Sequence, residues 1–144
     1  MISEQSIGVA NQTSGFSGID GILGLGPVDL TRGSVNGMDT VPTVSDNLLS
    51  QDKISQEVLG VYFIPAAEKQ NNGELTFGGI DESVISSPVV YVPLTETFPA
   101  SAYWGINQTI NYGDTIILPL TAGIVDTGST LISIASGKSC STTN

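Results

Sequence analysis

Glycine and proline interrupt this chain so often that long helices are not expected. The 144 residues include 17 glycines and 7 prolines. Proline removes a backbone donor, and glycine weakens the interior of a helix. Hydrophobic residues make up 40% of the chain and charged residues only 12%, a balance typical of short strands joined by frequent turns. The sequence therefore predicts an all-β fold, and its length allows a sizeable core.

The charge of the chain is strongly acidic. It carries 4 basic and 14 acidic residues, a formal net charge of −10. Such a surface repels the phosphates of nucleic acids and anionic lipids, so we expect neither nucleic acid nor membrane as a partner. The first residues, Met1 to Gln5, have no basic start and no apolar run, and we therefore expect no signal peptide in this chain.

Histidine is absent, and Cys140 is the only cysteine. These two facts exclude Ser-His-Asp and Cys-His catalysis, an internal disulfide and the usual zinc ligands. We expect no metal and no cofactor. Apart from the thiol and the chain ends, carboxylates are the groups left for acid-base chemistry at or below neutral pH.

Local patterns predict several strands and one helix. Apolar residues alternate with glycines over residues 15–27, which predicts a strand ending at a turn. Helical spacing over 43–58 predicts one short helix followed by a turn, capped by Thr43 or Ser45. Two strands, 60–65 and 74–79, should flank a polar hairpin turn over 68–73. Further strands are predicted at 89–94, 103–112, 115–118 and 122–125, with a turn at Gly113 and Asp114.

One segment, residues 122–132, places the carboxylate of Asp126 in a turn between two apolar runs. The pattern predicts that this carboxylate is partly buried. Because an isolated buried charge is costly, hydroxyls and backbone N–H groups must hold it by hydrogen bonds. The local candidates are Thr127, Gly128, Ser129 and Thr130. A bare Asp-Thr-Gly is also typical of a solvated hairpin turn, so the flanking residues have to decide between these interpretations.

With its flanks, this loop resembles the catalytic loop of the pepsin-like aspartic proteases, which reads apolar-apolar-Asp-Thr/Ser-Gly-Ser/Thr-Thr/Ser-apolar. Four further segments resemble that family in the same order. They are residues 16–26, residues 43–51 with 60–63, residues 73–81, and residues 91–94 with 103–106. The cysteine-poor composition and the stretch 100–109 are similar to the polyporopepsin-like enzymes of wood-rotting fungi.

The resemblance implies a partial pepsin-like bilobal fold. Residues 1–85 would be the second half of the N-terminal lobe, and residues 86–144 the first half of the C-terminal lobe with its Asp-Thr-Gly loop. The other catalytic loop and the flap over the substrate are expected upstream of Met1, and residues 137–144 depart from the family pattern. Full-length members are typically secreted and monomeric, and they act on polypeptides, so the resemblance implies a secreted aspartic endopeptidase.

The resemblance also implies roles for individual residues. Asp126 would be one of two catalytic carboxylates, Thr127 would lock its loop against the partner loop, and Ser129 or Thr130 would orient the carboxylate. Substrate-pocket roles, with plain core positions as the alternative, are implied for Ile22, Tyr103, Trp104 and Ile124.

Because the resemblance places the first catalytic Asp outside this chain, we expect the chain alone to be inactive. The alternative is a catalytically dead binding protein with a protease fold, and a generic β-domain with a solvated Asp126 is the third possibility. Two Asn-X-Thr triplets, at Asn11 and Asn107, are candidate glycosylation sites, which have meaning in a secreted chain.

Overall fold

The computed structural model describes residues 1–65 and 73–134. By the density of its internal contacts the chain forms two compact units, Met1–Val90 and Tyr91–Asn144. The boundary lies close to residue 85, where the sequence predicted the change of lobe. The assignment of the units to two lobes stays a prediction.

The first unit contains the α-helix of the described residues, α1, at Val44–Ser50. Thr43 caps it, because its hydroxyl accepts a hydrogen bond from the N–H of Asp46 at 3.3 Å. The carboxylate of Asp46 in turn accepts from the N–H of Thr43 at 2.7 Å, which completes a capping box. The predicted helix is confirmed at the start of 43–58, and Thr43 rather than Ser45 is the cap. A 3-10 helix at Val28–Thr31 precedes α1 and another at Glu82–Val84 follows it.

Two antiparallel strands complete the first unit. Strand β1 at Leu59–Phe63 pairs with β2 at Gly73–Phe77, with Leu59 opposite Phe77. This confirms the predicted pair of strands, whereas most of the predicted turn over 68–73 lies outside the described residues. Gly78 follows β2 with a φ of +83°, and a Cβ there would lie 2.7 Å from the side chain of Ile54. Only glycine fits this left-handed position and this close approach.

The second unit is built on a longer hairpin, preceded by a 3-10 helix at Ala100–Ala102. Strand β3 at Gly105–Tyr112 pairs with β4 at Thr115–Ile124, and Gly113 turns the chain with a φ of +57°. The two predicted strands 115–118 and 122–125 are one strand. The strand continues through Pro119 by means of a β-bulge. Gln108 pairs with Thr121 and Ile110 with Leu118, so that Thr109 alone lies opposite the two residues Pro119 and Leu120. Such a bulge accommodates a proline, which has no N–H for the ladder.

Two predicted strands are wrong. Residues 15–27 form no strand, and residues 6–24 are exposed to solvent. Residues 89–94 form only an isolated bridge between Leu94 and Ile106, and the side chain of Val90 is 82% exposed. The physical reason is the same in both cases. A strand needs a continuous ladder of hydrogen bonds to a neighbouring backbone. In the described residues, segment 15–27 belongs to no ladder, and segment 89–94 pairs only at Leu94.

The core of each unit is small. In the described part of the chain, the buried hydrophobic residues are Val41, Ala100 and Leu118. The sizeable core that the length allowed is therefore not formed by these residues. Within residues 1–65 and 73–134 each sheet has only two strands, and two strands cannot cover their own apolar faces. Side chains such as Phe63 and Leu120 consequently remain open to solvent.

Candidate functional site

The loop that carries Asp126 begins where the β3–β4 hairpin ends. Gly105 and Ile124 form the last pair of the ladder. One residue farther on, the N–H of Val125 donates a hydrogen bond to the carbonyl of Trp104 at 2.9 Å. Asp126 is therefore the first residue beyond a backbone contact that fixes the direction in which the chain leaves the sheet.

Both carboxylate oxygens of Asp126 accept hydrogen bonds from the residues that follow. The N–H of Gly128 donates to Oδ1 at 2.9 Å, and the hydroxyl of Ser129 donates to Oδ2 at 2.6 Å. The second distance is in the range of a hydroxyl bonded to an ionised carboxylate. A Cβ at position 128 would lie 3.2 Å from Oδ1, so glycine lets the backbone approach this closely.

These contacts favour the charged form of the carboxyl group. The hydroxyl of Ser129 contributes most, followed by the N–H of Gly128, and together they lower the pKa of Asp126 against a small opposing effect of desolvation. The predicted partial burial is wrong, because Asp126 is exposed and no described element covers the loop. The predicted hydrogen bonding of the carboxylate is present without burial.

The neighbouring threonines do not share in this arrangement. In the described part of the chain, neither Thr127 nor Thr130 donates to the carboxylate of Asp126, and both are exposed. Of the two hydroxyls that the sequence offered to orient the carboxylate, Ser129 makes the contact. The locking of Thr127 against a second loop stays a prediction.

Comparison with known proteins decides the family. A model of the eukaryotic aspartyl protease family matches residues 1–142. The chain belongs to this family. It is 58% identical to polyporopepsin from Irpex lacteus over 139 residues, and 36% identical to rhizopuspepsin-1 from Rhizopus niveus over 139 residues. It is also 34% identical to cathepsin E from Mus musculus over 131 residues.

A solved structure of an aspartyl protease confirms the fold. The crystal structure of the aspartic proteinase from Irpex lacteus covers 94% of this chain with a TM-score of 0.88 and 57% sequence identity. The fold is therefore the pepsin-like all-β fold, in part. The matched region makes up 94% of this chain but only 41% of polyporopepsin. It makes up 33% of rhizopuspepsin-1, so the chain spans well under half of these aspartyl proteases.

The residues with implied pocket roles belong to both units of this aspartyl protease chain. Ile124 ends β4 next to the Asp126 loop and is 44% exposed. Trp104 and Tyr103 precede β3 and are 44% and 41% exposed. Ile22 belongs to the first unit and is 70% exposed. Their pocket roles stay a prediction.

A shallow cavity of about 100 Å³ lies in the first unit, and its lining includes none of the residues with implied pocket roles. Its walls come from β1, β2 and the 3-10 helix at Glu82–Val84, and Tyr62, Glu74 and Ile85 are among the lining residues. Sequence reasoning did not find this cavity, since it forms between residues that are distant in sequence.

Sequence reasoning also missed the contact between Val125 and Trp104. It joins two backbone groups, so the residue types at these positions do not predict it. A predicted hairpin with its register could have found it.

The described residues give no sign of a metal centre or a membrane span. Among residues 1–65 and 73–134, no three His, Cys, Asp or Glu side chains come together in a way that could hold a metal ion. None of the helices in these ranges has the length and the apolar character needed to cross a bilayer.

Proposed function

We propose that this chain supplies one of the two catalytic carboxylates of an aspartic endopeptidase, and that this carboxylate belongs to Asp126. The observation that supports the proposal best is the pair of hydrogen bonds to its two oxygens. They hold the side chain in one orientation, in the family's loop pattern, at a fixed exit from a β-hairpin. A catalytic group needs this kind of local orientation to act on a bound substrate.

The chemistry of the reaction requires two such groups. Aspartic proteases use two Asp carboxyls about 3 Å apart that share one proton, since like charges so close cannot both ionise. One group takes a proton from the attacking water, while the other donates a proton to the carbonyl oxygen of the peptide bond. The pair titrates as a unit. In this chain, the hydrogen bonds from Ser129 and Gly128 lower the pKa of Asp126 and so favour its ionised form.

The described part of the chain brings no second carboxylate to Asp126. Its pKa responds to Ser129 and Gly128 and to no charged neighbour. A lone carboxylate cannot act as base and acid in the same step. The chain alone is therefore inactive in this proposal, unless two copies pair symmetrically and contribute one Asp126 each.

The setting we propose is extracellular and acidic, with polypeptides as substrates. Its support is the family, the fungal relatives, and a composition of 14 acidic against 4 basic residues. As with typical family members, the full-length protein is proposed to be a monomer. The net negative charge disfavours nucleic acid as a partner.

The test compares this chain with a longer one. In the longer chain, the residues that precede the matched region of polyporopepsin are joined ahead of Met1. Peptide hydrolysis is measured at about pH 3 to 5, with and without pepstatin. We expect no hydrolysis by the 144-residue chain and pepstatin-sensitive hydrolysis by the longer chain.

Two matched substitutions make the test specific for Asp126. Asp126→Asn should abolish hydrolysis by the longer chain, whereas Asp81→Asn should preserve it. Asp81 is the control because it is also an Asp with hydrogen bonds that lower its pKa, but it lies outside the loop. Equal activity of Asp126→Asn and the unchanged protein would refute the proposal. Pepstatin-sensitive hydrolysis by the 144-residue chain would show instead that two copies pair.

A further inference from the structure

The two Asn-X-Thr triplets of the chain lie in very different structural settings. Both Asn side chains are exposed, but Asn11 belongs to an irregular segment, while Asn107 lies within strand β3. We infer that Asn11 is the acceptor of an N-linked glycan and that Asn107 stays unmodified. The inference depends on the proposed secretory route but not on proteolytic activity.

The surroundings of Asn11 leave room for a sugar chain. Asn11 and Thr13 are exposed, and residues 5–13 form no helix or strand. Neither side chain takes part in a hydrogen bond of the described residues. A Cβ added at Gly8 or Gly15 would meet no heavy atom within 4 Å, so the space on both sides of the triplet is open. An acceptor Asn requires such a surface loop.

The side chain of Asn107 is already engaged. Its Oδ1 accepts a hydrogen bond from the hydroxyl of Thr95 at 2.8 Å. Thr95 is only 5% exposed, and its own N–H donates to the carbonyl of Gly105 at 2.9 Å. The amide of Asn107 thus connects β3 to the segment before it, while its backbone lies opposite Ala122 in the ladder. The triplet that begins at Asn107 is therefore held in an extended conformation, as part of strand β3 paired with β4.

The transfer step at Asn11 is a substitution with no change of oxidation state. The donor is an oligosaccharide linked through pyrophosphate to a lipid. Nδ2 of Asn11 forms a bond to the anomeric carbon of the first sugar, and the bond from that carbon to the pyrophosphate oxygen breaks. Nδ2 gives up one proton, and the lipid pyrophosphate leaves. The hydroxyl of Thr13 is the part of the triplet that marks the Asn as an acceptor.

For the test, the chain is expressed in yeast behind a cleavable secretion leader. Only the protein that has entered the secretory compartment is analysed. Mobility is compared before and after a peptide N-glycosidase, and mass spectrometry locates the Asn that this enzyme converts to Asp. We expect one glycan, at Asn11. Asn11→Gln and Thr13→Ala should abolish it, whereas Thr13→Ser should retain it. Asn107→Gln should leave the glycan unchanged.

Other outcomes overturn the inference. A glycan at Asn107, glycans on both residues, or no glycan in the protein that has entered the secretory compartment would each do so. Asp126→Asn should keep the glycan at Asn11, so the fate of this site and that of the proposed protease activity are read separately.

Discussion

The capping box of helix α1 (Val44–Ser50) allows a quantitative test of the fold. The hydroxyl of Thr43 accepts from the N–H of Asp46 at 3.3 Å and donates to its carboxylate at 2.7 Å. Thr43→Ala removes both contacts. Loss of a Thr cap costs about 1 kcal/mol, which corresponds to about a fivefold increase in the population of the open helix. The cap matters here because a helix of 7 residues is too short to be stable by itself.

Hydrogen exchange of the amide of Gln51 measures this effect. That N–H donates to the carbonyl of Asn47 at 3.2 Å at the far end of the helix, so it exchanges when the helix opens. We expect its exchange to become about fivefold faster in Thr43→Ala and to stay nearly unchanged in Thr43→Ser. Ser45→Ala is the matched control, because sequence analysis offered Ser45 as the alternative cap. Equal acceleration by Ser45→Ala would refute the assignment of the cap.

Two further predictions concern the loop and the first hairpin. Ser129→Ala should raise the pKa of Asp126 toward its ordinary value and Ser129→Thr should largely preserve it, as followed by carbon NMR titration of the carboxyl; an unchanged pKa in the alanine variant would contradict the contact. Since this folded-state pKa is lowered, the stability that the contact contributes is present above the unfolded pKa and is lost as pH falls through the folded one. Gly78→Ala places a Cβ 2.7 Å from Ile54 at a φ of +83° and should destabilise the first unit by about 1 to 3 kcal/mol in urea unfolding. Gly79→Ala, where a Cβ meets nothing within 4 Å, should have a much smaller effect, and equal losses would argue against the steric reasoning.

Features that depend on neighbours in sequence could be predicted. The cap at Thr43 needs only an acceptor side chain with Asp three residues later. The β3–β4 hairpin needs only alternating apolar residues around Gly113. The contacts of Asp126 with Gly128 and Ser129 are of the same local kind, and the pattern of the loop anticipated them.

Features that depend on distant residues could not be predicted in the same way. Residues 15–27 have the composition of a strand, but in the structure they join neither of the two sheets. The burial of Asp126 was inferred from its apolar flanks, and burial requires a second layer that a flank cannot supply. At Pro119 the sequence predicted the end of a strand, because proline has no N–H for the ladder. The bulge opposite Thr109 allows β4 to continue through this residue.

The contact between Val125 and Trp104 affects how this region can vary in evolution. It uses a main-chain N–H and a main-chain carbonyl, so every amino acid except proline at position 125 preserves it. The hydrogen bond involves neither side chain, so a substitution at either position can leave the exit of the loop from the hairpin unchanged. Residues beside the Asp126 loop can therefore differ between homologues without displacing the carboxylate that follows them.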